Sequence, residues 1–461
     1  MKKTLVAMIA LCLVAPVSSW AQAKSLTEIV DEASGALATF SCTIDDELAE
    51  RTVSGQAICI DPSGVFMTIA LSGDVRIKTL KDFRLTLPGI PGKTLKAALE
   101  GIDPATGIAF IRATEQHNWK VVRFAPSAKL AIGQSVASVG LLAPDLGNMP
   151  YLGTAAVSAR IRVPGEMVRV TGGTLTVPGS PVFALDGRAI GIVGRQLPSV
   201  FQVFDAGGRS NLIRMAGQQE TEYFLPVEEF VNVLRDPPRG GSIARLPWLG
   251  AAAFKAITKD LADVMKLDRP AVEIDRVVEG QPGHAAGLKD RDIVVAVNGQ
   301  PLEQMATPEL VRDNFVRNLF RMKPDQTVTL TVLRAGKTQD LSIKLGAMPE
   351  QPHEAARYVA RQLGFIVRDK VIMDQYLSTS PAAKAEGLVV MLVAQQSPAA
   401  VGGLQPGDLV TTINDQPVKT VAALQNILEA ALRNKPLQAV NLLVRRGDQA
   451  QAVSIQPPTQ R

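Results

Sequence analysis

A chain of 461 residues with only three histidines, His117, His284 and His353, has few ways to activate a hydroxyl. A serine attacks a carbonyl only with a base in hydrogen-bond reach and a third group that orients the base. Ser180 stands in the run Val177-Pro178-Gly179-Ser180-Pro181-Val182-Phe183-Ala184-Leu185-Asp186-Gly187-Arg188-Ala189-Ile190-Gly191-Ile192. This run reads as two short strands, 182–185 and 189–193, joined at Asp186-Gly187, the strongest short hairpin signal. Pro178 has neither a hydroxyl nor a backbone N–H, so it supplies no nucleophile and no oxyanion donor. His117 sits in the polar turn 115–119 and reads as a surface residue, while no spacing supports a Ser180–lysine dyad. Cys42 and Cys59, the two cysteines that follow Cys12, and the scattered histidines do not make a structural zinc site.

These residues need a scaffold, and the length sets a prior of three domains. Charged residues at 20% and hydrophobic residues at 46% describe a folded globular chain. The net charge is +5, and Lys2 and Lys3 account for two of it. No basic run with interleaved aromatics occurs, which argues against nucleic acid, and Arg445-Arg446 and Arg160/Arg162 read as solvated strand or loop positions. Lys2-Lys3, the apolar stretch 5–17 and Ala21-Gln22-Ala23 make residues 1–23 a secretory signal cleaved before Lys24. That stretch is short for a bilayer span, so the mature chain is expected to be soluble, in a bacterial periplasm or secreted. In that oxidising space Cys42 and Cys59 are a disulfide candidate, since both fall in strand-like segments flanking a polar loop. A bridge there is worth about 3 kcal/mol, and two separate core thiols remain the alternative.

From 25 to 235 short strands alternate with turn signals, the pattern of an all-β double barrel. A helix-like segment over 25–38 opens it, capped by Ser25 or Thr27, with Glu28 three residues after Ser25 at capping-box spacing. Residues 55–68, the stretch Asp103-Pro104-Ala105-Thr106-Gly107-Ile108-Ala109-Phe110-Ile111, the segments 134–140 and 154–159, and a closing strand over 222–227 with a helix over 228–234 follow in order. Together they resemble the trypsin-like serine proteases of the HtrA (Deg) family. In that register the catalytic histidine falls on Leu71, the catalytic aspartate on Gly107 and the nucleophile on Pro178. The resemblance therefore implies a protease fold whose three catalytic positions are occupied by Leu71, Gly107 and Pro178, and the expectation is a pseudoprotease, not an enzyme.

The rest of the chain is a repeat. Val277 to Gly299 and Val393 to Asp415 share an apolar strand, a short Ala-containing helix start, Gly-Leu, Asp-Ile/Leu-Val and an Asn turn. A helical stretch (308–320, 421–432) and strands (328–333, 439–444) follow each copy. Two copies are too few for a solenoid, and the pattern resembles tandem PDZ domains. Such domains bind a C-terminal peptide by strand addition, holding its carboxylate on the N–H groups of an apolar-Gly-apolar loop. The matching loops are Leu249-Gly250-Ala251 and Leu363-Gly364-Phe365. The second is the cleaner match, because Ala251 replaces the usual bulky residue.

The expected fold class is thus mainly β: a signal peptide (1–23), a chymotrypsin-like double β-barrel (24–236) and two PDZ domains (237–346, 355–461), joined by Pro/Gly-rich linkers. The resemblance implies no cofactor. It implies protein C-termini or unfolded polypeptides as partners, in scaffold, chaperone-like or regulatory work. A homo-trimer, or a hetero-oligomer with an active relative, fits the same family. The opposed expectation is a serine endopeptidase with a relocated or unconventional active site.

Overall fold

The computed structural model describes residues 24–46, 49–71, 75–89, 92–127, 130–194, 199–204, 210–215, 223–377, 384–433 and 439–458. The expected signal peptide lies outside them. Ser25 caps α1 (Leu26–Ser34) by the foreseen capping box: its Oγ accepts from the Glu28 N–H at 3.2 Å, and its own N–H donates to the Glu28 carboxylate at 2.7 Å. The helix stops at Gly35 rather than running to 38, because the β-forming residues from Leu37 onward pair in a sheet instead.

Six strands close the first barrel: β1 (Leu37–Asp45), β2 (Glu50–Asp61), β3 (Val65–Thr68), β4 (Leu80–Thr86), β5 (Thr94–Asp103) and β6 (Ile108–Ala113), with β5 pairing β6 to complete the ring. Inward positions alternate along β1, where Ala38, Phe40, Cys42 and Ile44 are buried. The second barrel contains β7 (Ser135–Leu141), β8 (Pro150–Arg162), β9 (Glu166–Thr171), β10 (Pro181–Ala184) and β11 (Ala189–Val193). After the separate hairpin of β12 (Ser199–Phe204) and β13 (Ser210–Met215), β14 (Tyr223–Pro226) completes it, in the order β10-β11-β14-β9-β8-β7. The Asp186-Gly187 turn joins β10 to β11 as expected, with Gly187 at φ +84°. Both these strands are buried throughout, because one face lines barrel two while Phe183, Ala189 and Ile192 pack into the core of barrel one.

After α2 (Val231–Arg235), β15 (Ser242–Ile243) runs parallel to β5, and β16 (Pro247–Trp248) opens the third unit. It holds β17 (Ala251–Ala256), α3 (Lys259–Met265), β18 (Val272–Val277), α4 (Pro282–Ala285), β19 (Ile293–Val297), β20 (Gln300–Pro301), α5 (Pro308–Phe320), β21 (Thr327–Arg334), β22 (Lys337–Lys344) and β23 (Gly346–Ala347). The fourth unit repeats the plan with β24 (Arg357–Ala360), β25 (Phe365–Asp369), α6 (Asp374–Leu377), β26 (Leu388–Val393), α7 (Pro398–Val401), β27 (Leu409–Ile413), β28 (Gln416–Pro417), α8 (Val421–Arg433), β29 (Val440–Arg446) and β30 (Gln449–Ile455). Thr307 and Pro308 set the start of α5, the Thr307 hydroxyl accepting from the Leu310 N–H at 3.3 Å.

One carboxylate device recurs in both units. Asp292, 2% exposed, takes two Arg334 hydrogen bonds of 2.6 Å, and Arg334 also reaches the Gly287 carbonyl at 2.8 Å. Asp408, 1% exposed, takes two from Arg446 at 2.7 Å, and Arg446 reaches the Gly403 carbonyl at 2.8 Å. Arg446 is therefore a structural partner rather than a solvated residue. Arg160, paired with Glu166, and Arg162, paired with Glu303, are likewise engaged.

The two cysteines stand apart. Cys42 faces Val53 in the β1–β2 ladder, and Cys59 lies six positions further along β2, about 20 Å away at strand rise. Both are buried free thiols, so the disulfide candidate is replaced by two separate core cysteines.

Candidate active site and peptide grooves

The barrel junction is built around Gln56. Its side-chain N–H₂ donates to the Ala38 carbonyl at 3.2 Å, and its Oε1 accepts from the Leu141 N–H of barrel two at 2.9 Å. Its backbone carbonyl accepts the Thr68 hydroxyl at 2.8 Å, and Thr68 Oγ1 accepts from the Ala70 N–H at 3.1 Å, which fixes the exit from β3. The last β3–β6 pair is Thr68 with Ala109, so Leu71 and Gly107 leave the ladder at the same end. Leu71 is 1% exposed. Gly107 closes a turn at φ +70° in which the Asp103 carboxylate accepts from the Thr106 N–H and hydroxyl.

The Pro178-Gly179 turn meets that exit. At φ +89° Gly179 approaches so closely that a β-carbon there would lie 3.3 Å from Ile69 Cγ1 and 3.4 Å from the Gln56 carbonyl. The structure thus places Pro178 beside the segment that carries Leu71. Ser180 follows, fully buried, its N–H donating to the Val177 carbonyl at 3.1 Å. Its Oγ has no hydrogen-bond partner among the described residues and lies in a buried hydroxyl group with Thr176 and Ser138. His117 is exposed and packs on Trp119, whose indole lies against Gly64 and Phe66 at the opposite end of β3 from Leu71. Gln56 was not singled out from the sequence, since only the barrel junction shows why a buried amide is needed there.

Both apolar-Gly-apolar loops have the expected backbone. Leu249 is 2% and Ala251 4% exposed, Gly250 has φ +84°, and the Leu249 and Gly250 carbonyls accept from Gly283 and Val278 at 2.8 and 2.9 Å. Leu363 and Phe365 are buried, Gly364 has φ +78°, and the Leu363 and Gly364 carbonyls accept from Ala399 and Ala394 at 2.9 and 2.8 Å. Beyond the loops the two units diverge. In the first, β16 pairs with β23, and β17 has β18 as its one strand partner among the described residues. Its other side faces α5, where Phe254 and Phe315 meet edge-on at 5.6 Å. In the second, β25 lies between β26 and β24, so its groove edge is already paired. The cleaner loop in sequence is therefore the one whose strand edge is taken.

The trypsin-like peptidase domain family matches residues 55–192, and the PDZ domain family matches 258–345 and 389–446. A probable periplasmic serine endoprotease DegP-like of Bartonella henselae is 28% identical over 376 residues, covering 79% of this chain and 68% of the relative. One of Pseudomonas putida with the same description is 27% identical over 359 residues, covering 74% and 68%. The structure of the HtrA-type protease AlgW with tripeptide superposes with a TM-score of 0.52 at 19% identity, over 71% of this chain and 99% of that one. The fold is that of a trypsin-like double barrel followed by two PDZ domains.

The same matches overturn the expectation of a chain that is not an enzyme. The peptidase family spans 55–192, including Leu71, Gly107 and Pro178, and the relatives are named serine endoproteases. Three side chains in a register do not set the class of the whole domain, and a serine, its hydroxyl buried, stands two residues from the expected nucleophile position. Among the described residues, no helix is long and apolar enough to cross a membrane.

Proposed function

We propose that this chain, a trypsin-like double barrel with two PDZ domains in the arrangement of the HtrA-type proteases, is a periplasmic or secreted serine endopeptidase with an unconventional site that acts on unfolded or extended polypeptide. The observation that carries this is the junction of the Pro178–Ser180 turn with the β3 exit, inside the region matched by the peptidase family. Ser180 is the candidate nucleophile, its Oγ uncommitted to any hydrogen bond among the described residues. Attack on a peptide carbonyl requires the 177–180 turn to swing that hydroxyl out of barrel two and a base to meet it, which makes for slow turnover. The first PDZ domain engages substrate: β17 offers its edge to an added strand, and the Gly250 loop offers N–H donors to a terminal carboxylate.

The test is an assay of purified protein on a casein-like unfolded substrate, with intact-mass detection of a serine-directed phosphonate adduct. Cleavage and one adduct, both lost in Ser180→Ala, are expected. Cleavage that survives Ser180→Ala would move the nucleophile elsewhere. No cleavage and no adduct, with substrate still protected from aggregation, would leave peptide binding alone.

A further inference from the structure

The second PDZ domain carries a strand where its ligand would go. β24 runs antiparallel to β25 with Arg357 opposite Arg368, Tyr358 opposite Val367, Val359 opposite Ile366 and Ala360 opposite Phe365. A peptide added to a PDZ domain takes this direction, with its C-terminal residue at the apolar-Gly-apolar loop. Ala360 holds that terminal place, and its carbonyl accepts from the Leu363 N–H at 3.0 Å and the Gly364 N–H at 2.7 Å. These are donors of the loop expected to hold a carboxylate. Ala360 is 4% exposed, and Tyr358, two residues before it on the same face, packs into the same core as Leu424 and Leu428 of α8. Burial, and next to it Glu429 on α8, raises the Tyr358 phenol above its ordinary range, as expected of a side chain seated between strand and helix.

The first domain shows why the second differs. Its incoming segment, β16, is drawn off the β17 edge by pairing with β23, Trp248 opposite Gly346. Arg334 and Arg446 hold equivalent aspartates, which fixes the correspondence of the two domains. Gly346 lies twelve residues after Arg334, and twelve residues after Arg446 the chain has Pro458, preceded by Pro457. Prolines have no N–H to give to a ladder, and among the described residues no strand after β30 captures the second domain's incoming segment. That segment pairs with β25 instead.

The geometry assigns residues 357–360 as an internal ligand of the second PDZ groove, which a free C-terminal peptide of the same apolar character enters only when β24 leaves. This rests on the PDZ-groove reading of the second domain and adds the occupant that keeps it closed. Gly364 is essential to the seat, because a β-carbon there would lie 2.2 Å from Ser397 Cβ.

The probe is a fluorescein-labelled peptide of residues 353–360 with a free carboxylate, and its C-terminal amide, titrated into the full chain, with hydrogen exchange locating the bound site. Tyr358→Asp puts a carboxylate beside Glu429 and removes the apolar anchor. It should bind the acid peptide at least tenfold tighter than wild type, with new protection at 365–369, and the amide should bind at least tenfold more weakly than the acid. A double variant, Val359→Cys with Ile366→Cys, joins a facing pair whose Cα spacing suits a disulfide. Oxidised, it should lose protection of 365–369 by peptide at least tenfold relative to its reduced form, and this arm decides the matter if Tyr358→Asp fails to fold. Equal peptide protection in the oxidised and reduced forms, or wild type binding at β25 as tightly as Tyr358→Asp, would overturn the internal ligand. A folded Tyr358→Asp with β24 released and no peptide bound would instead refute the groove as a peptide site.

Discussion

Glu229 should govern how firmly the first PDZ domain holds to the peptidase barrels. Its side chain is 12% exposed and accepts from Arg317 and Arg321 of the α5 end, the latter at 2.7 Å, and from the Glu166 N–H at 2.9 Å. Arg321 also donates to the Glu229 carbonyl at 2.8 Å. Burial lowers the hold of Arg321 on its proton, and Glu229 opposes that effect. In Glu229→Ala two guanidinium groups and one peptide N–H lose their acceptor. Breaking a buried pair costs about 3–5 kcal/mol, but Arg321 is 34% exposed and water recovers part of the loss. A net cost of about 2–3 kcal/mol corresponds to a roughly 30- to 150-fold shift toward the undocked domain. Lys323–Asp236, exposed on both sides, should contribute little by comparison. Hydrogen exchange across 236–246 and 308–321, with limited proteolysis of the same linker, reads the change directly. Glu229→Ala should accelerate both at low and at 0.5 M salt, since a half-buried pair is weakly screened, whereas Lys323→Ala should not. Unchanged exchange in Glu229→Ala would refute the clamp.

Two further outcomes follow from buried groups. Burial raises the Cys42 thiol to about 11 and the Cys59 thiol to about 12 from an ordinary 9.0, so neither should react with a thiol reagent at pH 8 until the chain unfolds, when both should. Because both folded values are raised, their contribution to stability is full below about pH 9 and is lost as pH rises through 11 to 12. Tm measured from pH 8 to 11 should therefore fall less in Cys42→Ala/Cys59→Ala than in wild type, and a bridged pair found by mass would sink the idea. Gly364→Val combines a left-handed backbone with a β-carbon overlapping Ser397 and should destabilise the second PDZ domain by at least about 2–3 kcal/mol in urea unfolding. Wild-type stability of that variant would mean that the loop opens freely.

Much of the architecture was legible because periodicity and turn chemistry are local. The Asp186-Gly187 turn, the Ser25–Glu28 box and the 308–320 helix all stand where the residues put them. What depends on distant partners was not legible. Cys42 and Cys59 flank one loop, yet an antiparallel register sets them six positions apart, and no feature of either segment announces that register. Arg446 read as solvated because its acceptor, Asp408, comes from another element. Side-chain identity at Leu71, Gly107 and Pro178 was plain, but it spoke only for three positions and not for the enzyme class of the fold around them.

The peptide grooves carry the same lesson further. Judged by its loop, the second domain is the better binder, since Phe365 supplies the bulk that Ala251 lacks. Whether a groove is open depends, however, on where the chain entering the loop finds hydrogen bonds. Each buried N–H and C=O of that segment must be paired, and two ladders compete for it: the free edge of the loop's own strand and the end of the domain's last hairpin. Gly346 and Ala347 win that competition in the first domain and clear β17. Pro457 and Pro458 cannot, so in the second domain the β25 edge wins and carries Tyr358 and Ala360 into the seat of a ligand. The residues that set this contrast lie nearly a hundred positions beyond the loop, so the loop's own sequence does not carry it.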